Sequence, residues 1–351
     1  MNLIGQLQDQ YRDSNAAHLA DIVTGQNIEK IVETYKNFLK RRIPEHSKEH
    51  NEPWHKIVQE HARKYIQKNL FISQNKNILS TFPLYSQGDI SAFSVCLSSF
   101  MDHKNFSMSG IFLTELVVLH FQNTKSPKEY LLTTENYGST LRYFGHNIGG
   151  KRVNISNARS LIGSFFDEGE LRIKVEGDIG MQAFTGMRSG ECEVIGNAQD
   201  YCAQGMEGGV LQIVGNCGSH VGAYMYHQKD EWLRKKMYAK PAKIIVEGNA
   251  TDHVGSMMGS GEIVIRGNVT KDLGSNMCGG SIEVFGSAGD TVAYCLEKEG
   301  NITVHKDVGK YPCLNMKGGI VHFNGSYGTL PRSLSEGKVY AKGVCVYPED
   351  I

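Results

Sequence analysis

The chain from residue 172 onward repeats one pattern of apolar and polar positions. In each repeat, two apolar residues stand two positions apart, mostly with a polar residue between them. This spacing predicts a short β-strand that turns one face toward a core. The pairs are Ile173 and Val175, Cys192 and Val194, Leu211 and Ile213, Ile244 and Val246, Ile263 and Ile265, Ile282 and Val284, Ile302 and Val304, and Val321 and Phe323.

A glycine follows each pair in most repeats, and we call its position the slot. The steps from 177 to 196, 196 to 215, 248 to 267 and 267 to 286 are each 19 residues, whereas 215 to 248 is 33, or 19 plus 14. The slot falls on Asn157 at the start and on Lys306 near the end, which gives eight turns. A fixed short period predicts a stacked repeat protein. The slot glycines are Gly177, Gly196, Gly215, Gly248, Gly267, Gly286 and Gly325.

A methionine stands ten residues after most slots, and a smaller apolar residue stands six after. Stacked turns place each methionine on the next and each strand about 4.8 Å from its copy. We therefore predict a parallel β-helix of about eight turns. The apolar spacing does not match the six-residue period of left-handed coils, so we predict a right-handed one. The methionine column is Met187, Met206, Met225, Met258, Met277 and Met316, with Leu296 in the same position.

An Asn or Asp follows five of the slot glycines, at Asp178, Asn197, Asn216, Asn249 and Asn268. These residues tolerate left-handed backbone and bond their local main chain, and stacked amides can bond one another along a coil. The slot glycines and the Gly-Gly pairs suit bends that need positive φ or close backbone approach.

Composition narrows the functional classes. The 351 residues suggest two domains, and the equal numbers of Lys+Arg and Asp+Glu, 37 each, give no argument for nucleic acid or an anionic membrane as partner. The start of the sequence lacks a basic region followed by an apolar run, and no apolar run reaches about 18 residues. The eight cysteines form no CxxC pair. We expect a reduced, cytoplasmic protein without a membrane span.

Residues 1–134 are expected to form a helical and then mixed α+β region that caps the N-terminal end of the coil of residues 135–351, and Val339–Val346 is expected to cap the other end. Apolar spacing predicts a helix from Ile28 to Leu39, and Pro53 opens a second helical pattern. The segments Ser91–Phe100, Ile111–Phe121 and Tyr130–Thr134 are rich in β-branched and aromatic residues, which predicts strands.

The insertion at 226–242 carries an aromatic and basic group, consisting of Trp232, Arg234, Lys235 and Lys236. Trp and Arg are enriched where proteins bind one another. The segment is either a contact for a protein partner or a helix that simply packs on the side of the coil.

The candidates for chemistry are His220, His253 and Asp272, each five residues after its slot on consecutive turns. Two stacked imidazoles and a carboxylate could hold a metal or form an acid–base site. Gln182 and Tyr201 share this position, which equally favours an ordinary solvated loop. The outward strand residues show no paired carboxylates on adjacent turns, and no nucleotide-binding motif is present, so we predict no cofactor.

Three segments, GNATDHVGSMMGSGEIVIRGN, GNVTKDLGSNMCGGSIEVFGS and GNAQDYCAQGMEGGVLQIVGN, resemble the GXGXG repeat family. That family includes the C-terminal domain of the glutamate synthase large subunit and a related subunit of formylmethanofuran dehydrogenase. The resemblance covers about residues 135–325 and implies a right-handed β-helix with a structural or docking role. It implies no catalytic residue, because the chemistry of those enzymes lies in other domains or subunits.

These observations favour a non-catalytic scaffold or accessory subunit that docks to a catalytic partner in an amidotransferase- or oxidoreductase-type assembly, or that forms a homo-oligomer. One alternative is a metal- or small-ligand-dependent enzyme that uses the His220 and His253 flank. Another is a bacterial interaction protein that acts through its N-terminal half.

Overall fold

The computed structural model describes residues 28–40, 85–96, 112–113, 116, 120, 129–133, 152–156, 172–187, 190–225, 242–297, 299–331 and 336–347. Within these ranges the chain is mainly β and forms a parallel β-solenoid of about eight turns. The predicted β-helix is therefore confirmed, and its right-handedness stays a prediction.

One sheet of twelve strands runs along the coil. Its order is β1-β2-β3-β4-β5-β6-β7-β9-β11-β12-β13-β14, and every neighbouring pair is parallel except β13 and β14, which are antiparallel. β8 and β10 form a second, two-stranded parallel sheet. The strands are β1 (Glu129–Thr133), β2 (Arg152–Ser156), β3 (Arg172–Glu176), β4 (Glu191–Ile195), β5 (Val210–Ile213), β6 (Lys243–Val246), β7 (Glu262–Ile265), β8 (Val269–Lys271), β9 (Gly279–Val284), β10 (Ala288–Asp290), β11 (Glu299–Val304), β12 (Ile320–Phe323), β13 (Lys338–Ala341) and β14 (Val344–Tyr347).

The core is a set of columns in which equivalent residues of successive turns lie on one another. Ile244 pairs in register with Ile263, which in turn pairs with Ile282, and all three side chains are buried. The methionine column is also buried along its whole length, from Met187 to Met316. Because each apolar face is covered by the turns beside it, the turns stabilise one another and not themselves.

The slot glycines permit close backbone approach, and with the exception of Gly177 they do not adopt positive φ. A Cβ added at Gly196 would lie 2.2 Å from the carbonyl oxygen of Gly177 in the turn before. The Gly-Gly pairs serve the other purpose, since Gly209 directly before β5 and Gly280 at the start of β9 both have a φ of 86°.

Two helices have described bounds in the N-terminal region, α1 (Ile28–Lys40) and α2 (Gln87–Cys96). The helix predicted at Ile28–Leu39 is confirmed, as is the strand predicted at Tyr130–Thr134, which is β1. The second helical pattern, from Pro53, lies outside the described residues.

Two predicted strands in this region are wrong, because Ser91–Phe100 begins inside α2 and the described residues of Ile111–Phe121 are helical. A capping box starts α2: the Asp89 N–H donates to Ser86 Oγ at 3.1 Å, and the Ser86 N–H donates to Asp89 Oδ2 at 3.1 Å. Phe93 and Phe112, which suggested strands, instead pack with each other and with Tyr35 of α1, and the centroids of the three rings lie 5.2–5.7 Å apart.

The two ends of the described sheet are covered differently. α2 contacts β1, the first strand. At the other end β13 extends the parallel ladder with Val339 buried, and the antiparallel β14 follows it through a turn at Lys342 and Gly343. No helix among the described residues is long and apolar enough to cross a membrane.

Candidate functional site

The residues five positions after the slots from Gly177 to Lys306 form one column on the flank of the coil, which we call the flank column. Its members all have positive φ between 56° and 61°. Each opens a tight turn, as the His220 carbonyl does by accepting the Ala223 N–H at 3.1 Å. The column is Gln182, Tyr201, His220, His253, Asp272, Thr291 and Tyr311.

Tandem turns hold the flank column in place. In the turn opened by His220, the third residue is Gly222 with a φ of 61°, as a type II turn requires. A second turn overlaps it, because the Met225 N–H donates to the Gly222 carbonyl at 3.2 Å and brings Met225 into the core. Adjacent turns are then joined by main-chain bonds such as that from the His220 N–H to the Asp252 carbonyl at 2.8 Å.

The aromatic members of the flank column stack along the coil. The rings of Tyr201 and His220 have centroids 4.6 Å apart at 23°, and those of His220 and His253 are 4.7 Å apart at 38°. These separations match the distance between neighbouring strands. The predicted proximity of His220 and His253 is therefore confirmed, although 33 residues separate them.

Asp272 continues the column beyond His253. Its Oδ2 lies 3.5 Å from His253 Nδ1, which is longer than a formed hydrogen bond. Its other oxygen, Oδ1, accepts a hydrogen bond from Thr291 Oγ1. The Nδ1 atoms of both His220 and His253 are buried without a hydrogen-bond partner, so their outward ring edges are the ones left for contact with other molecules.

Burial is the largest cause of a lowered pKa at His220, and the nearby charge of His253 lowers it further. Asp200 and Asp252 act in the opposite direction. His220 is therefore neutral near pH 7, and two positive charges do not meet in the stack.

The flank column has limited chemical capacity. Among the described residues, no group of three or more His, Cys, Asp or Glu side chains is placed to hold a metal ion. The His220 and His253 rings face one another 4.7 Å apart, and the Nδ1 atom of each ring is buried, which leaves only the outer ring edges for contact with another molecule. The arrangement can exchange a proton or donate hydrogen bonds at its outer edge, where the His253 side chain is 37% exposed.

A second polar group, which the repeat pattern alone did not single out, lies on the outward face of the main sheet. His305 Nε2 is 2.8 Å from Glu283 Oε1, and His305 Nδ1 is 3.2 Å from Asn324 Nδ2. The His305 ring stacks on the Phe285 ring, with 4.7 Å between the two centroids. The guanidinium of Arg266, which follows β7, lies 4.3 Å from the centroid of the Phe285 ring. The sequence does contain a pattern that could have predicted this group, because four of its members each stand directly before a slot. They are Arg266, Phe285, His305 and Asn324.

Both nitrogens of His305 are engaged by side chains, so this second group is a packed surface network. The outward column beside it has register partners Val264, Glu283 and Thr303 on adjacent turns, without neighbouring carboxylates. The sequence-based argument against a glycosidase or lyase, whose acids would have to lie together, stays a prediction.

The predicted partner contact at Trp232, Arg234, Lys235 and Lys236 lies outside the described residues. The sequence matches no protein-family model and no curated protein.

Proposed function

We propose that this chain is a non-catalytic scaffold or accessory subunit that presents a rigid coil to a catalytic protein. The observation that supports this most directly is the polar ladder beside the slots. Asp178, Asn197, Asn216 and Asn249 each accept, through a side-chain oxygen, the backbone N–H of the equivalent residue one turn later, at 2.7–2.9 Å.

The ladder adds hydrogen bonds, which depend on direction, to apolar packing, which does not. Asn268 extends it by accepting the Ser287 N–H at 2.8 Å, and Asp307 accepts the Ser326 N–H at 2.9 Å further on. Each side chain satisfies a main-chain donor that the bend at the slot leaves outside the strand pairing. A surface built on such a frame changes little on binding, which suits a docking subunit better than a moving active site.

The resemblance to the GXGXG repeat family also supports the scaffold proposal, because it implies a structural or docking role for the coil. The seven cysteines whose side chains the structure describes are free thiols, namely Cys192, Cys202, Cys217, Cys278, Cys295, Cys313 and Cys345. That state suits the cytoplasm, where we propose the chain to act.

Two measurements test the scaffold proposal. Native mass spectrometry of the full chain isolated from its own cells is expected to show a stoichiometric complex with a catalytic protein, whose activity falls when the chain is removed. The His220→Ala/His253→Ala variant is expected to retain both the complex and the activity. Loss of activity in that variant, with an unchanged circular dichroism spectrum and intact association, would contradict a purely structural role.

The second candidate function is a small-ligand or metal-dependent enzyme at the flank column. The specific observation in its favour is the 3.5 Å approach of Asp272 Oδ2 to His253 Nδ1, a distance that a proton on Nδ1 can shorten to a hydrogen bond. Such a pair orients an imidazole so that its Nε2 can accept a proton. Metal analysis tests whether such an enzyme depends on a metal. A metal-dependent enzyme requires stoichiometric metal in the purified wild-type chain and loss of that metal in the His253→Ala variant.

A further inference from the structure

We propose that the outward face of β3 to β7 binds a second copy of this chain about a two-fold axis that runs parallel to β5. The proposal goes beyond the scaffold function and does not depend on it. It places β5 on β5 of the second copy, β4 on β6, and β3 on β7.

The centre of this face is uncharged. The outward residues of β5 and its end are Val210, Gln212 and Val214, and Val214 is 44% exposed. Ile195 beside it is 41% exposed, and Ile245 stands outward on the next strand. Exposed branched residues at the centre of a sheet favour face-to-face packing, in which two sheets lie about 10 Å apart.

Charges on the strands around β5 are self-complementary about that axis. Strands spaced equally along the coil put Glu191 of β4 opposite Lys243 of β6 in the second copy, since both stand in one register column with Val210. Glu176 at the end of β3 lies in the same way opposite Arg266, which follows β7. The two-fold operation repeats each pair, so the face gains four opposite-charge contacts from two kinds of residue pair.

A third pair of residues, Arg172 and Glu262, also brings opposite charges together across the interface. Arg172 of β3 shares the column of Glu191, and Glu262 of β7 shares the column of Lys243. The remaining charged positions, such as Glu193 opposite Ile245, face uncharged residues. Thus no like charges oppose each other across β3 to β7.

Neighbouring registers are disfavoured by the same charges. An axis on β6 would place β4 on β9 and oppose Glu193 to Glu283, which share one outward column. An axis on β4 would place β2 on β6 and oppose Arg152 to Lys243. Repulsion in both shifted registers selects the axis on β5.

The individual chain already screens some of these charges. Lys243 Nζ pairs with Glu262 Oε1 at 2.8 Å within one copy, and Glu247 accepts a hydrogen bond from Gln212 Nε2 at 3.2 Å. Docking therefore extends these existing surface pairs into networks, which lowers the desolvation cost at those positions.

The test uses charge reversal in the full chain, with mass measured by light scattering after size exclusion. The wild type is expected at twice the chain mass of 38.9 kDa. Glu176→Arg and Arg266→Glu are each expected to weaken the dimer by about tenfold or more, because each opposes like charges twice.

Mixing the two reversal variants in equal amounts provides the complementary test. A dimer with one chain of each kind is expected to form, since positions 176 and 266 then face opposite charges at both of their contacts. The matched control is Lys317→Glu, which reverses an exposed charge away from the strands and should leave the dimer unchanged.

A second measurement remains informative if a reversal variant fails to fold. Val214→Cys lies on the axis, so a short bismaleimide should link two copies of it, whereas Val344→Cys, which is 65% exposed but seven strands away from β5, should not be linked. A monomeric wild type, a dimer unaffected by both reversals, or a mixture that stays monomeric would each overturn the proposal.

Discussion

Asn216 Oδ1 accepts the backbone N–H of Asn249 at 2.8 Å across a step of 33 residues. The same bond one turn earlier, from the Asn216 N–H to Asn197 Oδ1, is 2.9 Å long across a step of 19. The ladder therefore passes the insertion without a gap. The position of each turn is set by the turn on which it stacks, and the length of chain between turns is secondary.

Loss of one ladder acceptor should weaken the coil by a modest amount. Asn216→Ala leaves the Asn249 N–H without its acceptor and is expected to lower the free energy of unfolding by about 1 kcal/mol. Asn216→Asp keeps an oxygen in the same place, as Asp178 does when it accepts the Asn197 N–H at 2.7 Å, and should cost less. Urea midpoints of the two variants measure the difference. Equal effects of Ala and Asp would show that the acceptor is not what stabilises this bend.

The methionine column should respond to lost volume more than to changed shape. Met258 is fully buried between Met225 and Met277, so Met258→Ala leaves a cavity and is expected to cost about 2–5 kcal/mol. Met258→Leu nearly conserves volume and should cost less than about 1.5 kcal/mol, as the natural Leu296 in the same column suggests. Thermal unfolding of both variants compares them. A mild effect of Ala would mean that neighbouring methionines relax into the space.

The solenoid could be predicted from sequence because its determinants are local and repeated. Apolar spacing of two identifies each strand, and the 19-residue step identifies which strands are neighbours. Stacking in register then follows, and Ile263 does lie between Ile244 and Ile282. The N-terminal region lacks such repetition. There the aromatic content of Ser91–Phe100 suggested a strand, whereas the capping box of Ser86 and Asp89 sets the helix α2.

The flank column was predictable in position and less so in chemistry. The repeat alone places His220 beside His253, and their rings lie 4.7 Å apart. Ring tilt and the burial of each Nδ1 depend on side-chain packing, which a spacing pattern does not contain. The network around His305 was missed because it unites two outward columns, those of Glu283 and of Phe285, which the repeat pattern keeps separate.

A methyl group at a slot should be much more damaging than one at an exposed bend. A Cβ at Gly215 would lie 2.4 Å from the Gly196 carbonyl oxygen, and the backbone there cannot move without breaking the ladder. We expect Gly215→Ala to cost about 3 kcal/mol or more. Gly343→Ala, at a φ of 83° with nothing within 4 Å of the added carbon, should cost about 1–2 kcal/mol from backbone strain alone. Chemical denaturation of both variants measures the contrast, and comparable losses would rule out close approach as the reason for the slot glycine.

The pH dependence of stability should report the burial of His220. An unfolded histidine titrates near pH 6.5, whereas burial and the charge of His253 lower the pKa of His220 in the folded chain. Between the unfolded and the folded pKa of His220 the unfolded chain binds more protons than the folded chain, so the free energy of unfolding rises with pH. The contribution of His220 to stability is complete above about pH 6.5, and it is lost as the pH falls through the lowered pKa of the folded chain. His220→Gln removes this group and should flatten the fall in melting temperature between about pH 7 and about pH 5. His253→Gln removes the neighbouring charge, so the pKa of His220, followed by its imidazole NMR signals, should rise toward its ordinary value. A His220 that titrates at or above about pH 6.5 in the wild type would contradict the buried, charge-coupled stack.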